Sequence, residues 1–169
     1  MKAKQKHLPM YGVGPIYVSV IIGLTVLGIA LSIWNRIPLI RYRGFSVVLL
    51  ILGSGLVVYG IYLWYAAVLK DKIDDGIVHN RLVTTGIYAK VRNPIYAAFL
   101  IACTGVLLIY GNILLLFLPF LYWGFLTVLM RSTEEKWLRE LYGEEYEEYC
   151  RRVNRCIPWR KRRREIRKW

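Results

Sequence analysis

Three apolar runs set the limits on this fold: Gly12 to Trp34, Phe45 to Leu69 and Pro94 to Met130, with almost every charge placed between or after them. A helix needs about 20 apolar residues to cross the hydrocarbon core of a bilayer, so each of the first two runs has the length of one span. The third holds 37 residues, and Gly111-Asn112 interrupts it near the middle. It reads as a tight helical hairpin of two short spans, about 17 to 18 residues each and near the lower limit of spanning length. The expected fold is an all-α integral membrane protein with about four transmembrane helices, over about 12–34, 45–69, 94–110 and 113–130, in a single membrane domain covering residues 1–169.

Composition agrees with that segregation. A chain that is 56% hydrophobic and carries a net charge of +13 fits neither a disordered chain nor an ordinary soluble domain. Lys2, Lys4 and Lys6 precede the first run as they would a signal peptide. The run exceeds a signal h-region of about 7 to 15 residues and no small-residue cleavage site follows it, so it is expected to stay as an anchor. Three Lys or Arg precede the first span, three lie in the loop 35–44, five between Lys70 and Arg92, none at Gly111-Asn112, and thirteen from Arg131 onward. With four spans, twenty-one of the twenty-four basic residues share a side, and the positive-inside rule makes both termini and the segment 70–92 cytoplasmic.

Other chemistries find little support. Three cysteines and two histidines, one of them His7 in the N-terminal tail, make a zinc site by the usual paired spacing improbable. There is no phosphate loop, no G-x-G-x-x-G and no G-x-S-x-G. Any chemistry must come from Tyr, Asn, Arg, Glu and backbone.

Two polar segments carry such residues. In "KDKIDDGIVHNRLVTTGIYAKVRNP", Asp74-Asp75-Gly76 and Thr84-Thr85-Gly86 read as turns, and Pro94 suits the first position of span three because its missing N–H would be an orphan there. Asn93 is then the expected N-cap, and Tyr96 lies in the first turn, where free N–H groups and the positive helix end favour an anion. The plainer account is that Asn93 merely caps a helix and that Tyr88 and Tyr96 belong to the interfacial aromatic belt.

After span four, Trp137, Leu138, Leu141, Tyr142, Tyr146, Tyr149 and Val153 recur at steps of three and four, one face of an amphipathic helix bent at Gly143 that lies along the membrane or folds back under the bundle. Glu134 shares that face, where a carboxylate is costly unless it meets a partner. The plainer partners are Arg131, three residues earlier, or a capping box from Ser132 to Glu135. Glu144, Glu145, Glu147 and Glu148 look like a solvated, charge-balanced face. The tail 159–169, "WRKRRREIRKW", is expected to bind anionic membrane lipids at roughly 1 kcal/mol per basic residue. No nucleic-acid partner is expected, since no folded recognition module accompanies the charge.

Taken together, the segments 80–96 and 131–158 resemble the membrane-embedded methyltransferases typified by isoprenylcysteine carboxyl methyltransferase, with the related phospholipid methyltransferases. The residues that carry the likeness are Leu82-Val83-Thr84-Thr85-Gly86, Tyr88, Arg92-Asn93-Pro94 and Tyr96, then Glu134-Glu135, Leu138, Gly143-Glu144-Glu145-Tyr146, Tyr149, Arg152-Val153 and Ile157-Pro158, in order and separated by a helical hairpin. The resemblance implies a cytoplasmic S-adenosyl-L-methionine pocket with Leu82, Val83, Tyr88, Asn93, Pro94, Tyr96 and Glu134 against the cofactor. It implies Glu134 as a cofactor-binding or catalytic group, and a lipophilic or prenylated acceptor. The family often has His at the position of Asn93, Pro at that of Asn154, and Arg at that of Met130, for which Arg131 is the nearest substitute.

A carboxylate acceptor needs a cation such as Arg131 or Arg92 to position it, whereas an amine acceptor must lose a proton, with Glu134 as the base candidate. The preferred expectation is O-methylation of an isoprenylcysteine-like carboxylate. The alternatives are N-methylation of amine phospholipids and a non-enzymatic membrane adaptor with a lipid-binding tail.

Overall fold

The computed structural model describes residues 12–41, 43–70 and 81–157. The lysine-rich N-terminus, the turn at Asp74-Asp75-Gly76, Pro158 and the basic tail 159–169 lie outside these residues. The described chain is all-helical, apart from an isolated parallel bridge between Val91 and Asn154. Four apolar helices form the body: α1 (Gly14–Ile33), α2 (Ser46–Tyr65, continued by a π-helical turn Ala66–Lys70), α3 (Pro94–Tyr110) and α4 (Leu118–Ser132). Two amphipathic helices follow, α5 (Glu134–Tyr142) and α6 (Glu144–Arg152).

Among the described residues, three helical stretches are long and apolar enough to cross a membrane, Gly14–Ile33, Ser46–Lys70 and Ile113–Tyr142; α3, at 17 residues, is shorter. The three long stretches present most of their apolar side chains outward, whereas α3 exposes only Val106 and Ile109 of its large ones. In α1 only Tyr17, Ile21, Thr25, Gly28 and Ser32 are buried, a stripe at steps of three and four, while Ile16, Val26 and Leu27 are exposed. An apolar outer surface around a narrow packed seam is what a lipid solvent requires, since the hydrophobic effect no longer drives helices together.

The seam between α2 and α3 therefore relies on small residues. A Cβ on Gly105 would come within 2.6 Å of the Gly53 carbonyl oxygen, and one on Gly60 within 2.8 Å of that of Ala98. The obstacle is backbone, which cannot swing aside. Gly105→Leu is expected to destabilise the protein by about 1 to 3 kcal/mol or more, whereas Gly55→Leu, whose Cβ would meet nothing within 4 Å, should be close to neutral. Equal melting temperatures for the two variants in detergent would refute this account of the seam.

The hairpin turn does more than reverse the chain. Gly111 adopts φ 77°, the left-handed geometry that glycine takes without strain. Asn112 is fully buried. Its Oδ1 accepts from Leu114 N (3.2 Å) and Ile40 N (3.4 Å), and its Nδ2 donates to Ser32 Oγ (2.9 Å) and Pro38 O (3.1 Å). One amide thus ties the α1–α2 loop to the tip of the hairpin.

At the opposite end, the sequence after α4 departs from the single bent helix expected of it. The backbone breaks at Thr133 (φ −126°, ψ −88°) and again at Gly143 (φ 53°, ψ −125°), giving two nine-residue helices. Tyr146, Tyr149 and Val153 are buried against Leu82, Leu138 and Tyr142, so the apolar face folds back under the bundle. The capping box from Ser132 to Glu135 does not form. Thr133 occupies the N-cap position without a side-chain cap bond, its Oγ1 (2.6 Å) and Ser132 Oγ (3.0 Å) both donate back to Leu129 O, and the Glu135 carboxylate is committed elsewhere.

Candidate active site

The ends of α1, α2 and α3, the segment 81–93 and the helices α5 and α6 line an open cavity of about 530 Å³, within the range that holds a cofactor-sized molecule. Its wall includes every residue expected to meet the cofactor: Leu82, Val83, Tyr88, Asn93, Pro94, Tyr96 and Glu134. They come from two stretches of chain about forty residues apart. Arg131 is exposed at the end of α4 and is not part of the wall, and it makes no pair with Glu134. Among the described residues, Arg81 and Arg92 are the wall's cations.

Local chemistry explains how each group is held. Pro94 is the first residue of α3 and Asn93 its N-cap, but the Asn93 side chain makes no cap bond. Its Nδ2 instead donates to Arg155 O (3.1 Å), beside backbone bonds from Arg92 N to Asn154 O (2.8 Å) and Asn93 N to Arg155 O (3.0 Å). The C-terminal strand-like segment is thereby stitched to the start of α3. Pro94 has no N–H, so the free donors at this helix end are the amides of the next residues, Ile95 and Tyr96, which also line the cavity.

Glu134 is half-buried, and two donors converge on one of its oxygens. Tyr96 donates its hydroxyl to Oε1 at 2.5 Å, and Val13 N–H donates to the same atom at 2.9 Å. Its partners thus come from α3 and from the residue that caps the start of α1, neither of them a neighbour in sequence.

Glu135, one residue on, is the buried carboxylate. Arg155 grips it with two bonds (Nε to Oε1 2.6 Å, Nη2 to Oε2 3.0 Å), Arg92 Nη2 lies 3.3 Å from Oε1, and Arg139 reaches 4.0 Å at the rim. Burial raises its pKa, but the Arg155 bond and the charges of Arg92, Arg155 and Arg139 outweigh that and hold it below the usual carboxylate range. Arg92 also donates to Tyr146 Oη (3.2 Å) and to Cys150 Sγ, and its guanidinium sits 5.8 Å from the centroid of the Tyr146 ring. Tyr149 donates its hydroxyl to Tyr88 O at 2.6 Å. Burial pushes both phenols up in pKa despite the nearby Arg92, so Tyr149 remains a donor at neutral pH.

The wall also holds residues that sequence reasoning had not assigned to it. Trp64 and Val68 come from the end of α2, and Gly12, Gly14, Pro15 and Val18 from the start of α1. The "YGVGP" opening of span one, with two glycines around one valine, was the only available signal for the latter.

Residues 42–145 match the family model described as phospholipid methyltransferase. The chain belongs to the phospholipid methyltransferase family. Among curated proteins, it is 38% identical over 78 residues to protein-S-isoprenylcysteine O-methyltransferase of Schizosaccharomyces pombe, covering 46% of this chain and 33% of that protein. It is 34% identical over 86 residues to the probable protein-S-isoprenylcysteine O-methyltransferase of Oryza sativa subsp. indica (47% and 42%). It is 33% identical over 82 residues to protein-S-isoprenylcysteine O-methyltransferase B of Arabidopsis thaliana (48% and 41%). The matched stretch therefore spans a third to two fifths of those relatives. No solved structure matches. The family match begins in the loop before α2, so the α1 residues of the cavity wall lie outside it.

Proposed function

We propose that this family member is an S-adenosyl-L-methionine-dependent methyltransferase of the membrane, and that it O-methylates the carboxylate of an isoprenylcysteine-like or other lipophilic acceptor. The observation that carries the reading is the meeting of Leu82, Val83, Tyr88 and the α3 N-terminus with Glu134 on one cavity. The cavity's chemistry suits this donor. Amides at the start of α3 match an amino-acid carboxylate, aromatic faces of Tyr88, Tyr96 and Trp137 match a sulfonium, and apolar Leu82 and Val83 offer a surface to a nucleoside. Bound there, adenosylmethionine would supply an activated methyl group for in-line displacement.

The chain's own task is then alignment. Glu134 offers an acceptor oxygen to the cationic part of the donor, Asn93 and Pro94 hold the helix end in place, and α5 and α6 shield the site from water. A carboxylate acceptor is already ionised and needs only a cation to orient it. Arg81, exposed in the cavity wall, is better placed for this than Arg131. The family's description also supports N-methylation of amine phospholipids as a second reading, for which Glu134 would be the base.

The four apolar helices make four spans in this reading, with the cavity on the cytoplasmic side because twenty-one of twenty-four basic residues gather there. Single cysteines at exposed Lys90 and Arg36, in a background without the native thiols, test it. Asn112 is too buried to serve. In intact cells Arg36→Cys should react with an impermeant reagent and Lys90→Cys should not; the reverse pattern sinks the orientation.

The acceptor's chain would enter from the bilayer. α1 and α2 each pack on α3 rather than on one another, and the cavity touches Val18 of α1, Trp64 and Val68 of α2, and Ile95 and Phe99 of α3 between them. A prenyl or acyl chain that stays in this gap avoids losing about 0.8 kcal/mol per buried methylene. Adenosylmethionine binding should be independent of acceptor length, while turnover of S-alkylated and S-prenylated cysteines in reconstituted bilayers should rise steeply with it. Equal turnover of short and farnesyl-length acceptors defeats the entry route, methylation of amine lipids alone defeats the carboxylate preference, and no binding of the donor favours the adaptor.

A further inference from the structure

We infer that the turn leading into α1 is a positioning element of the active site: Gly12 and Val13 set the orientation of the Glu134 carboxylate and leave Oε2 as the oxygen that meets the ligand. The inference rests on the methyltransferase reading for its functional half and on geometry for the rest. Both donors to Glu134, Tyr96 Oη and Val13 N, sit on Oε1, and Oε2 accepts no hydrogen bond among the described residues. Two bonds from distant parts of the chain to one oxygen fix the carboxylate plane as well as its place, so the second oxygen is aimed into the cavity that Glu134 lines.

The fit needs glycine. Gly12 has φ 48°, and a Cβ built on it would overlap Glu134 Oε1 itself, the end of the side chain that the turn is holding. A Cβ on Gly14 would lie 3.2 Å from Tyr96 Oη, the other donor's oxygen. By contrast, a Cβ on Gly23, farther along the same helix, meets nothing within 4 Å. The close approach is thus confined to the turn that faces the carboxylate. Gly12, Val13 and Gly14 all lie outside the family-matched stretch 42–145, so the entry to α1 adds a support to a site whose other parts lie in or near that stretch.

The test is a double-mutant cycle read in two ways, with adenosylmethionine as the titrant and melting temperature as the second signal. Gly12→Ala should weaken donor affinity or lower kcat by about tenfold or more, as should Val13→Pro, which removes the N–H and sets the ring Cδ in its place against Oε1; Gly23→Ala should change neither. In a Glu134→Ala background the Gly12→Ala change should alter affinity and kcat less than about threefold, because the atom its Cβ would displace is gone. The melting-temperature losses of the two changes should likewise be less than additive. Losses that multiply in full in the double variant, or wild-type affinity and turnover in Gly12→Ala, overturn the inference. A wild-type chain that binds no adenosylmethionine refutes the methyltransferase reading instead, and additive melting losses then overturn the contact as well.

Discussion

Glu135→Leu should lower stability by about 3 to 5 kcal/mol, the largest loss expected from any single change in this protein. The leucine matches the carboxylate's bulk but leaves Arg92 and Arg155, with side chains 7% and 17% exposed, facing each other without the anion between them. Those two arginines belong to the segments that hold α3 against the C-terminal chain, through Arg92 N to Asn154 O and Asn93 N to Arg155 O. The cavity wall should loosen with them. Glu147→Gln is the comparison: its ion pair with Arg139 has both side chains nearly half exposed, and such pairs contribute about 1 kcal/mol or less. Melting in detergent distinguishes the two, and equal losses would refute the buried cluster's role.

The same cluster sets an acid limit. Because the folded protein holds the Glu135 carboxyl below its ordinary value of 4.5, its stabilisation is fully present above that value and is lost as pH falls through the lower, folded one. Wild-type protein should therefore lose stability on acidification by a component that Glu135→Leu lacks. Parallel acid limbs for the two proteins would show that Glu135 is not the group responsible.

Glu134→Gln is the change expected to cost function most selectively. The amide keeps the shape of the carboxylate but not its charge, and losing a hydrogen bond to a charged group costs about 1.5 to 3 kcal/mol, or roughly ten- to a hundredfold in affinity or rate. Tyr88→Phe, in the same wall, should lose in the same direction. Adenosylmethionine titration and single-turnover methyl transfer measure this. Values indistinguishable from those of Glu147→Gln would favour a scaffold without catalysis.

Much of this architecture was legible one segment at a time. Apolar length marked the helices, Gly111-Asn112 marked the hairpin tip, Pro94 marked the start of α3, and the spacing from Trp137 to Val153 marked the face that folds inward. Each is a local signal, written in residues close enough to share a helix turn or a bend. The resemblance then assembled Leu82, Val83, Tyr88, Asn93, Pro94, Tyr96 and Glu134 as a set, and all seven line one cavity.

Two adjacent glutamates show where local signals stop. Counting around a helix puts Glu134 on the inward stripe and points Glu135 elsewhere, toward a cap or water. The count holds for Glu134, which lines the cavity with Leu138, but Arg92 and Arg155, 43 residues before and 20 after, make the interior the better place for Glu135 too. Asn112 follows the same logic: a turn residue by sequence, it is buried because Ser32, Pro38 and Ile40 supply its partners. Arg81, in the irregular stretch before Gly86, reaches the cavity wall, and Arg131, at the end of α4, does not. The sequence by itself determined which stretches are helical and which can lie in lipid, because backbone hydrogen bonding and transfer from water depend on nearby residues alone. Tertiary structure decided which charges are buried, how the Asn93 side chain is used, and that α1 closes on Glu134, because a polar group's cheapest environment depends on partners that only folding brings within 3 Å or so.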